Sequence, residues 1–381
     1  RFLFLTPLVF LISSCADQTK GVDFDAVQVF VSAQLEQAIE KTEMLTMDPL
    51  ADRKAVFAAA RLAFKKAEPF AAYLHPEAAH RVNGPPLPVF REDNSKVLPS
   101  VGFQAIEELI YIDEEPDTVA LRYKVDITLG YLRLLKDRVN NYRFTPQRFF
   151  VPMHQQLLRI YSLGLTGFDT PGSYLGMNES ARLLETFGEL YTLALGDTVQ
   201  QLSADLHVEF LNELSKAVST IDSNPDFETF DRYTFGRNHL NKLTELWVSI
   251  RKVTGLYPDP KLFALNLDAA SFFEEDAFNV DFFRSSYNRN PSDDQILLGK
   301  RLFNDVRLST SGNLACATCH QPGNGYQDGA RKGIDKNGNP LLRNTPTIIN
   351  AIYQKKFFWD GRADNLEQQI TGVFENKVEF D

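Results

Sequence analysis

Apolar residues along most of this chain recur every three or four positions, the repeat of a helix that buries one face. The pattern runs from Asp23 to about Arg284, with long helices predicted over 23–46, 117–141, 179–198, 201–221 and 227–253. Asp48 and Pro49 read as the N-cap and first residue of another helix. Behind them Phe57, Ala60, Phe64, Ala67 and Ala71 share one face. The breaks carry Gly or Pro: Asn83-Gly84-Pro85-Pro86, Glu115-Pro116, Thr145-Pro146 and Tyr257-Pro258-Asp259-Pro260. No stretch alternates with the period of a strand. The pattern therefore predicts an all-α protein led by a helical bundle.

The start is different. Residues 1–14, RFLFLTPLVFLISS, are apolar over the length of an export signal and too short to span a bilayer well. With no initiator Met and only Arg1 as a positive residue, the recorded start is expected to be truncated. Leu11-Ile12-Ser13-Ser14-Cys15 resembles a bacterial lipobox, which implies cleavage before Cys15 and diacylation of its sulfur. The plainer reading is a secretory signal with a chance cysteine. Either way the chain is expected in the periplasm or cell envelope, in the first case held to a membrane by lipid at Cys15. Residues 15–22 form a polar tether.

Composition narrows the class. At 381 residues, two to three domains are expected. Hydrophobic residues at 44% and charged residues at 24% are the balance of a globular chain. A net charge of −10 argues against nucleic acid as a partner. Three cysteines are too few for a disulfide framework. His75, His80, His154, His207 and His239 are scattered, and none is expected to ligate metal. Asp113-Glu114-Glu115 and Glu274-Glu275-Asp276 read as solvated helix ends.

Two patterns in the helical region resemble the imelysin family of periplasmic proteins. Ala60-Arg61-Leu62-Ala63-Phe64-Lys65-Lys66-Ala67-Glu68-Pro69-Phe70 looks like that family's early Arg…Glu helix. Gly102-Phe103-Gln104-Ala105-Ile106-Glu107-Glu108 stands where the family has GxHxxE. The resemblance implies a two-bundle helical domain with a binding or sensing role. Gln104 replaces the histidine, and an amide is a poor ligand for zinc or iron. Gln104, Glu107 and Glu108 are instead expected to form a polar helix stripe, with Arg61 as its hydrogen-bond partner.

The strongest chemical signal is Cys316-Ala317-Thr318-Cys319-His320, the CxxCH of c-type haem attachment. Two thiols at this spacing add across the two vinyl groups of one haem, and the next residue is carried under the iron as its proximal ligand. A redox CxxC pair or half a zinc site are the other readings, but the one remaining cysteine is Cys15. The surrounding LGKRLFNDVRLSTSGNLACATCH, Asp328-Gly329, Arg343-Asn344-Thr345-Pro346-Thr347, Phe357-Phe358-Trp359-Asp360-Gly361-Arg362-Ala363 and Leu366-Glu367-Gln368-Gln369-Ile370-Thr371-Gly372 resemble the N-terminal haem domain of bacterial dihaem cytochrome c peroxidases. That group also contains the methylamine-utilisation dihaem oxidases. The match covers about 290–381.

The resemblance implies that His320 is the proximal iron ligand and Gln369 a distal-pocket amide. It makes Glu379 the distal acid–base group, places Trp359 between two haems and gives Asn344 a part in a calcium site. Val373 and Lys377 stand where the family usually has prolines. No histidine follows His320, which implies a haem open to oxidant without reductive activation. The resemblance also implies a second haem domain after the end of this sequence, so the chain is expected to be a fragment holding one of two haems c. The organisation expected is then a signal segment over 1–14, a tether over 15–22, a helical domain over 23–285 and part of a first haem domain over 286–381. The implied activity is reduction of hydrogen peroxide to water with electrons from a small cytochrome or quinol. The alternatives are a related oxidase with another substrate, or a non-enzymatic electron carrier or iron- or haem-binding protein.

Overall fold

A computed structural model of the chain describes residues 21–47, 52–91, 96–113, 117–260, 263–285 and 290–380. The signal segment with Cys15, the start signal at Asp48-Pro49 and the break at Glu115-Pro116 lie outside these residues. The chain divides into two compact units. One comprises the residues up to Pro86, Val101–Lys261 and Leu267–Glu274; the other comprises Leu87–Ser100, Leu262–Asn266 and the residues from Glu275 onward.

The first unit is helical throughout. Helix α1, Phe24–Met44, starts where the Asp23 carboxylate accepts the Ala26 N–H at 2.8 Å, and it buries Val27, Val31, Leu35, Ala38, Ile39 and Thr42. Helix α2, Arg53–Leu74, is capped in the same way by Asp52. Its apolar face is the expected one, but Arg61, Lys65 and Glu68 are buried beside it. These three fall at i, i+4 and i+7, so they share one stripe. Short helices α3, Pro76–Val82, and α4, Phe103–Glu107, follow. Then come α5, Thr118–Asn141, and α6, Pro146–Arg159, where the predicted break at Thr145-Pro146 is a cap and first turn. Helices α7, Gly176–Tyr191, α8, Asp197–Leu202, and α9, Ala204–Ser223, cover the next two predicted segments. The last predicted segment becomes α10, Arg232–Phe235, and α11, Asn241–Thr254.

Among the described residues, four π-helical turns extend or join these helices, at Glu108–Ile112, Ile160–Gly164, Thr192–Gly196 and Gly236–Leu240. Each widens the helix by one residue locally, so apolar spacing alone does not reveal it. The deepest packing surrounds Trp247 on α11, whose ring lies 5.0 to 6.0 Å from those of Phe149, Phe150, Phe187 and Phe210. Four of the 30 phenylalanines of the sequence serve this packing.

The second unit is built of short elements. Strands β1, Val89–Arg91, and β2, Lys96–Leu98, pair antiparallel, with Val89 opposite Leu98. Three residues are too few to show alternation, so the sequence pattern missed them. Helices α12, Val280–Phe283, α13, Asp293–Phe303, α14, Cys316–Cys319, and α15, Leu366–Phe374, are linked by turns. Helix α13 opens with a capping box between Ser292 and Gln295. Neither α13 nor α15 fully buries a single side chain. Both are nonetheless amphipathic, which leaves a face on each without apolar cover. The all-α class is the observed one.

Candidate haem attachment site

Helix α14 is one turn long, and the local sequence explains it. The Ala315 N–H donates to Thr318 Oγ1 at 2.9 Å, closing the turn's entrance, and the His320 N–H donates to the Cys316 carbonyl at 2.9 Å, closing its exit. Ser309 Oγ accepts the Leu314 N–H at 3.2 Å and fixes the approach. Leu314 and Ala315 are buried, and both thiols are half-buried and unbridged. Burial pushes both thiols above their ordinary range, and for Cys319 the charges of Asp328 and Glu379 add to it. The sulfurs therefore keep their protons, and S–H is what adds across a vinyl group.

His320 is held through its ring. Its Nδ1 lies 3.2 Å from the Tyr326 carbonyl oxygen. A carbonyl can only accept, so Nδ1 carries the proton and the Nε2 lone pair is left for a metal. Tyr326 itself sits at φ +59°, in the left-handed region. In the same unit Ile296, Leu297, Leu298 and Leu302 on α13, and Ile370 and Phe374 on α15, are all exposed. Paired protonated thiols, an imidazole with Nε2 available and uncovered apolar helix faces together fit a flat, apolar, iron-bearing group. Among the described residues, no group of three or more His, Cys, Asp and Glu side chains is placed to hold a bare metal ion. The zinc reading thus lacks a ligand set there.

Glu379 lies near the carboxyl end but is tied down. Asn376 Nδ2 donates to its Oε1 at 2.9 Å. The Thr310 N–H donates to the Phe380 carbonyl at 2.9 Å, and the Lys336 N–H to the Val378 carbonyl at 3.1 Å. Half-buried, its carboxyl is pushed up by burial, against the pull of His320 and Arg362. The structure thus brings Glu379 within electrostatic reach of both His320 and Cys319. Gln369 lies half-buried on α15, and no hydrogen bond joins it to His320 or Glu379. Trp359 is not a core aromatic. It is 75% exposed, near the tip of a turn that the Phe357 N–H closes by donating to the Ala363 carbonyl at 2.9 Å. The Arg343 guanidinium lies 5.0 Å from its ring centre. Asn344 is exposed. Tyr326 and Arg343 were not singled out from sequence; the first is marked only by its backbone, the second by its stacking.

The helical unit holds the second constellation, and it differs from the expectation. Arg61 does not pair with a Gln104–Glu107–Glu108 stripe. Its Nη1 donates to Asn83 Oδ1 at 2.6 Å, its Nη2 lies 3.1 Å from Asp169 Oδ2 and its Nε 2.8 Å from Glu179 Oε1. Lys65 Nζ bridges Glu68 at 2.5 Å and Asp169 at 2.8 Å. Glu107 turns instead to Ser173, accepting its N–H at 2.7 Å and its hydroxyl. The stripe breaks up because α4 is buried on every side, and Asp169 and Glu179 reach Arg61 from more than a hundred residues away.

The charges in this cluster are unequal. Four buried carboxyls, Glu68, Glu107, Asp169 and Glu179, face two buried cations, Arg61 and Lys65. Burial opposes ionisation of all four. Lys65 with Arg159, whose Nη1 lies 3.7 Å from Glu68 Oε1, outweighs it at Glu68, and Lys65 with Arg61 outweighs it at Asp169, so both carboxyls are held below their usual range. At Glu179 and Glu107 burial prevails over Arg61 and over the Ser173 hydrogen bonds, and both are pushed up. The cation positions are filled by the protein's own side chains.

Residues 293–381 match the model of the family described as di-haem cytochrome c peroxidase. The chain is 47% identical over 76 residues to the methylamine utilization protein MauG of Methylorubrum extorquens, covering 20% of this chain and 22% of that protein. It is 43% identical over 89 residues to cytochrome c551 peroxidase of Pseudomonas aeruginosa, covering 23% and 26%. It is 38% identical over 91 residues to cytochrome c peroxidase Ccp of Escherichia coli K12, covering 24% and 20%. The chain spans about a quarter of the length of the curated relatives it matches.

Proposed function

We propose, from the match of residues 293–381 to the di-haem cytochrome c peroxidase model, that the whole protein reduces hydrogen peroxide to water. One peroxide takes up two protons and two electrons and leaves as two waters. The electrons would come from a small cytochrome or a quinol by way of a second haem. The observation that carries the reading is the α14 turn, with two protonated thiols, His320 offering Nε2, and the Glu379 carboxyl raised by burial nearby.

The haem, when bound, would supply a redox-active iron to react with peroxide. Cys316 and Cys319 would fix it to the chain, and His320 would hold the iron from one side. Glu379 would take a proton from one peroxide oxygen and return it to the other, which requires its carboxylate form first. Gln369 would orient the oxidant by hydrogen bonding, and Trp359 would couple the two redox centres. Calcium at Asn344 would need ligands from other parts of the whole protein. The chain would be exported to the periplasm or envelope, with Cys15 as lipid anchor, and the helical unit would act as an imelysin-like binding or sensing module.

The acidic charge does not favour steering of a basic donor to the haem unit. Over 290–381, eleven Lys and Arg balance eleven Asp and Glu, so the excess lies in the rest of the chain.

The test is Glu379→Gln in the full-length protein. Loss of a general acid–base group should lower kcat/KM for peroxide by about 10²–10⁴, with haem content unchanged. In the wild type, activity should fall as pH drops through the raised Glu379 value. Unchanged peroxide turnover in the variant removes the assignment. A second reading, oxidation of another protein or small molecule, is favoured by the likeness to the methylamine utilization protein. It predicts turnover of that substrate with peroxide when no donor cytochrome is present.

A further inference from the structure

We infer that Tyr326 is a positioning residue for the proximal ligand: its left-handed backbone turns its carbonyl onto His320 Nδ1 and so fixes the imidazole tautomer that offers Nε2 to iron. The inference rests on the haem reading above and adds the residue that aims the ligand.

The chain reverses direction between His320 and Asp328. The Tyr326 N–H donates to the Gln321 carbonyl at 2.8 Å and the Gln327 N–H to the Asn324 carbonyl at 3.2 Å. Two successive residues at the bend have positive φ, Gly325 at +62° and Tyr326 at +59°. This is the backbone of a type I′ turn, whose central positions favour Gly and Asn. Glycine stands at the first. A tyrosine at the second is costly, because its Cβ crowds the backbone there. Such a residue persists only where its surroundings over-determine it.

Two contacts do so here. The Tyr326 ring meets Phe303 of α13 edge-on at 6.2 Å. Its carbonyl meets His320 Nδ1 at 3.2 Å. From outside the bend, Thr347 Oγ1 donates to the Gly325 carbonyl at 2.7 Å. The ring contact holds the tyrosine in its costly conformation, Thr347 holds the turn, and the turn aims the carbonyl. A neutral imidazole has one N–H; with a carbonyl against Nδ1, that proton is at Nδ1. The same bond makes Nε2 more electron-rich and so favours the oxidised iron.

Three substitutions separate backbone from ring. Tyr326→Gly adopts positive φ freely and keeps the carbonyl in place without the ring. Tyr326→Phe keeps both. Tyr326→Val is driven out of the left-handed region by its branched Cβ and turns the carbonyl away. The readouts are the ¹⁵N shifts of His320 in the full chain before haem loading, assigned by their loss in His320→Gln, and the midpoint potential after loading. Wild type, Tyr326→Phe and Tyr326→Gly should show the proton at Nδ1 and closely similar potentials. Tyr326→Val should lose the preference for Nδ1–H and favour reduction about tenfold, or about 59 mV more positive for one electron.

An Nε2–H tautomer in the wild type overturns the inference. So does a Tyr326→Val protein like wild type, or a Tyr326→Gly protein shifted as far as Tyr326→Val. If Tyr326→Val does not accumulate, the wild-type tautomer and the Tyr326→Gly potential decide. A chain that never takes up covalent haem sinks the haem reading but leaves the tautomer measurement standing.

Discussion

Replacing Arg61 with methionine removes one of the two fully buried cations from the α2 cluster. The guanidinium is fully buried, 3.1 Å from Asp169, 2.8 Å from Glu179, and donates to Asn83 at 2.6 Å. Methionine fills similar volume, so little of the effect comes from a cavity. Asp169 keeps Lys65 as a partner, but Glu179 is left buried with only the weaker pull of Lys65 to set against it. Breaking a buried pair from one side costs about 3–5 kcal/mol. For a unit of this size each kcal/mol moves Tm by roughly 2–4 °C, so Tm should fall by about 6–20 °C. The loss should also depend on pH. Burial pushes the Glu179 carboxyl up, opposed by Arg61; without Arg61 its folded value rises further above the unfolded one. A group raised in this way destabilises the fold as pH climbs from the unfolded value through the folded one. The deficit of Arg61→Met should therefore be larger at pH 8 than at pH 5. Urea unfolding of the full chain, followed by far-UV circular dichroism, measures both. A deficit under about 1 kcal/mol at pH 8 would refute the buried-pair argument, and a deficit flat in pH would refute the assignment to Glu179.

Glu107 is also raised by burial despite its Ser173 bonds, so Glu107→Gln should leave stability unchanged at pH 5 and improve it at pH 8; urea midpoints at the two pH values check this. His154 is buried and held neutral down to about 4, by burial first and the Arg251 charge second. Its stabilising contribution is complete above the unfolded value near 6.5 and is lost as pH falls towards 4. His154→Phe should remove about 2 kcal/mol of that acid loss at pH 5, seen as a flatter stability profile between pH 7 and 5. The chain has two tryptophans, one packed in the core and one 75% exposed. In the haem-free chain, Trp247→Phe should leave long-wavelength emission quenched by iodide, and Trp359→Phe should leave short-wavelength emission that iodide does not reach.

The helices were readable because a buried face leaves its period in the sequence. Val27, Val31, Leu35 and Ala38 announce α1, and Thr145-Pro146 announces the start of α6. The π-helical turns were not, since one inserted residue shifts the phase without changing composition. The haem turn was legible because its chemistry is local: two thiols and a histidine within five residues. The Arg61 cluster was legible only in its α2 half. Asp169, Glu179 and Ser173 come from distant turns, and tertiary folding alone brings them to α2. Tyr326 was invisible for another reason. What it contributes is a backbone angle and a carbonyl, which every residue type possesses.

Everything proposed for this chain depends on covalent haem at the α14 turn. The direct measurement is intact mass together with the pyridine haemochrome spectrum of the chain after maturation in a bacterium that attaches c-type haem. Covalent attachment should show as the mass of one haem retained through acid–butanone extraction and denaturation, and lost in the Cys316→Ser, Cys319→Ser double variant. A mature chain with two free thiols, or with haem that extracts into solvent, would contradict it.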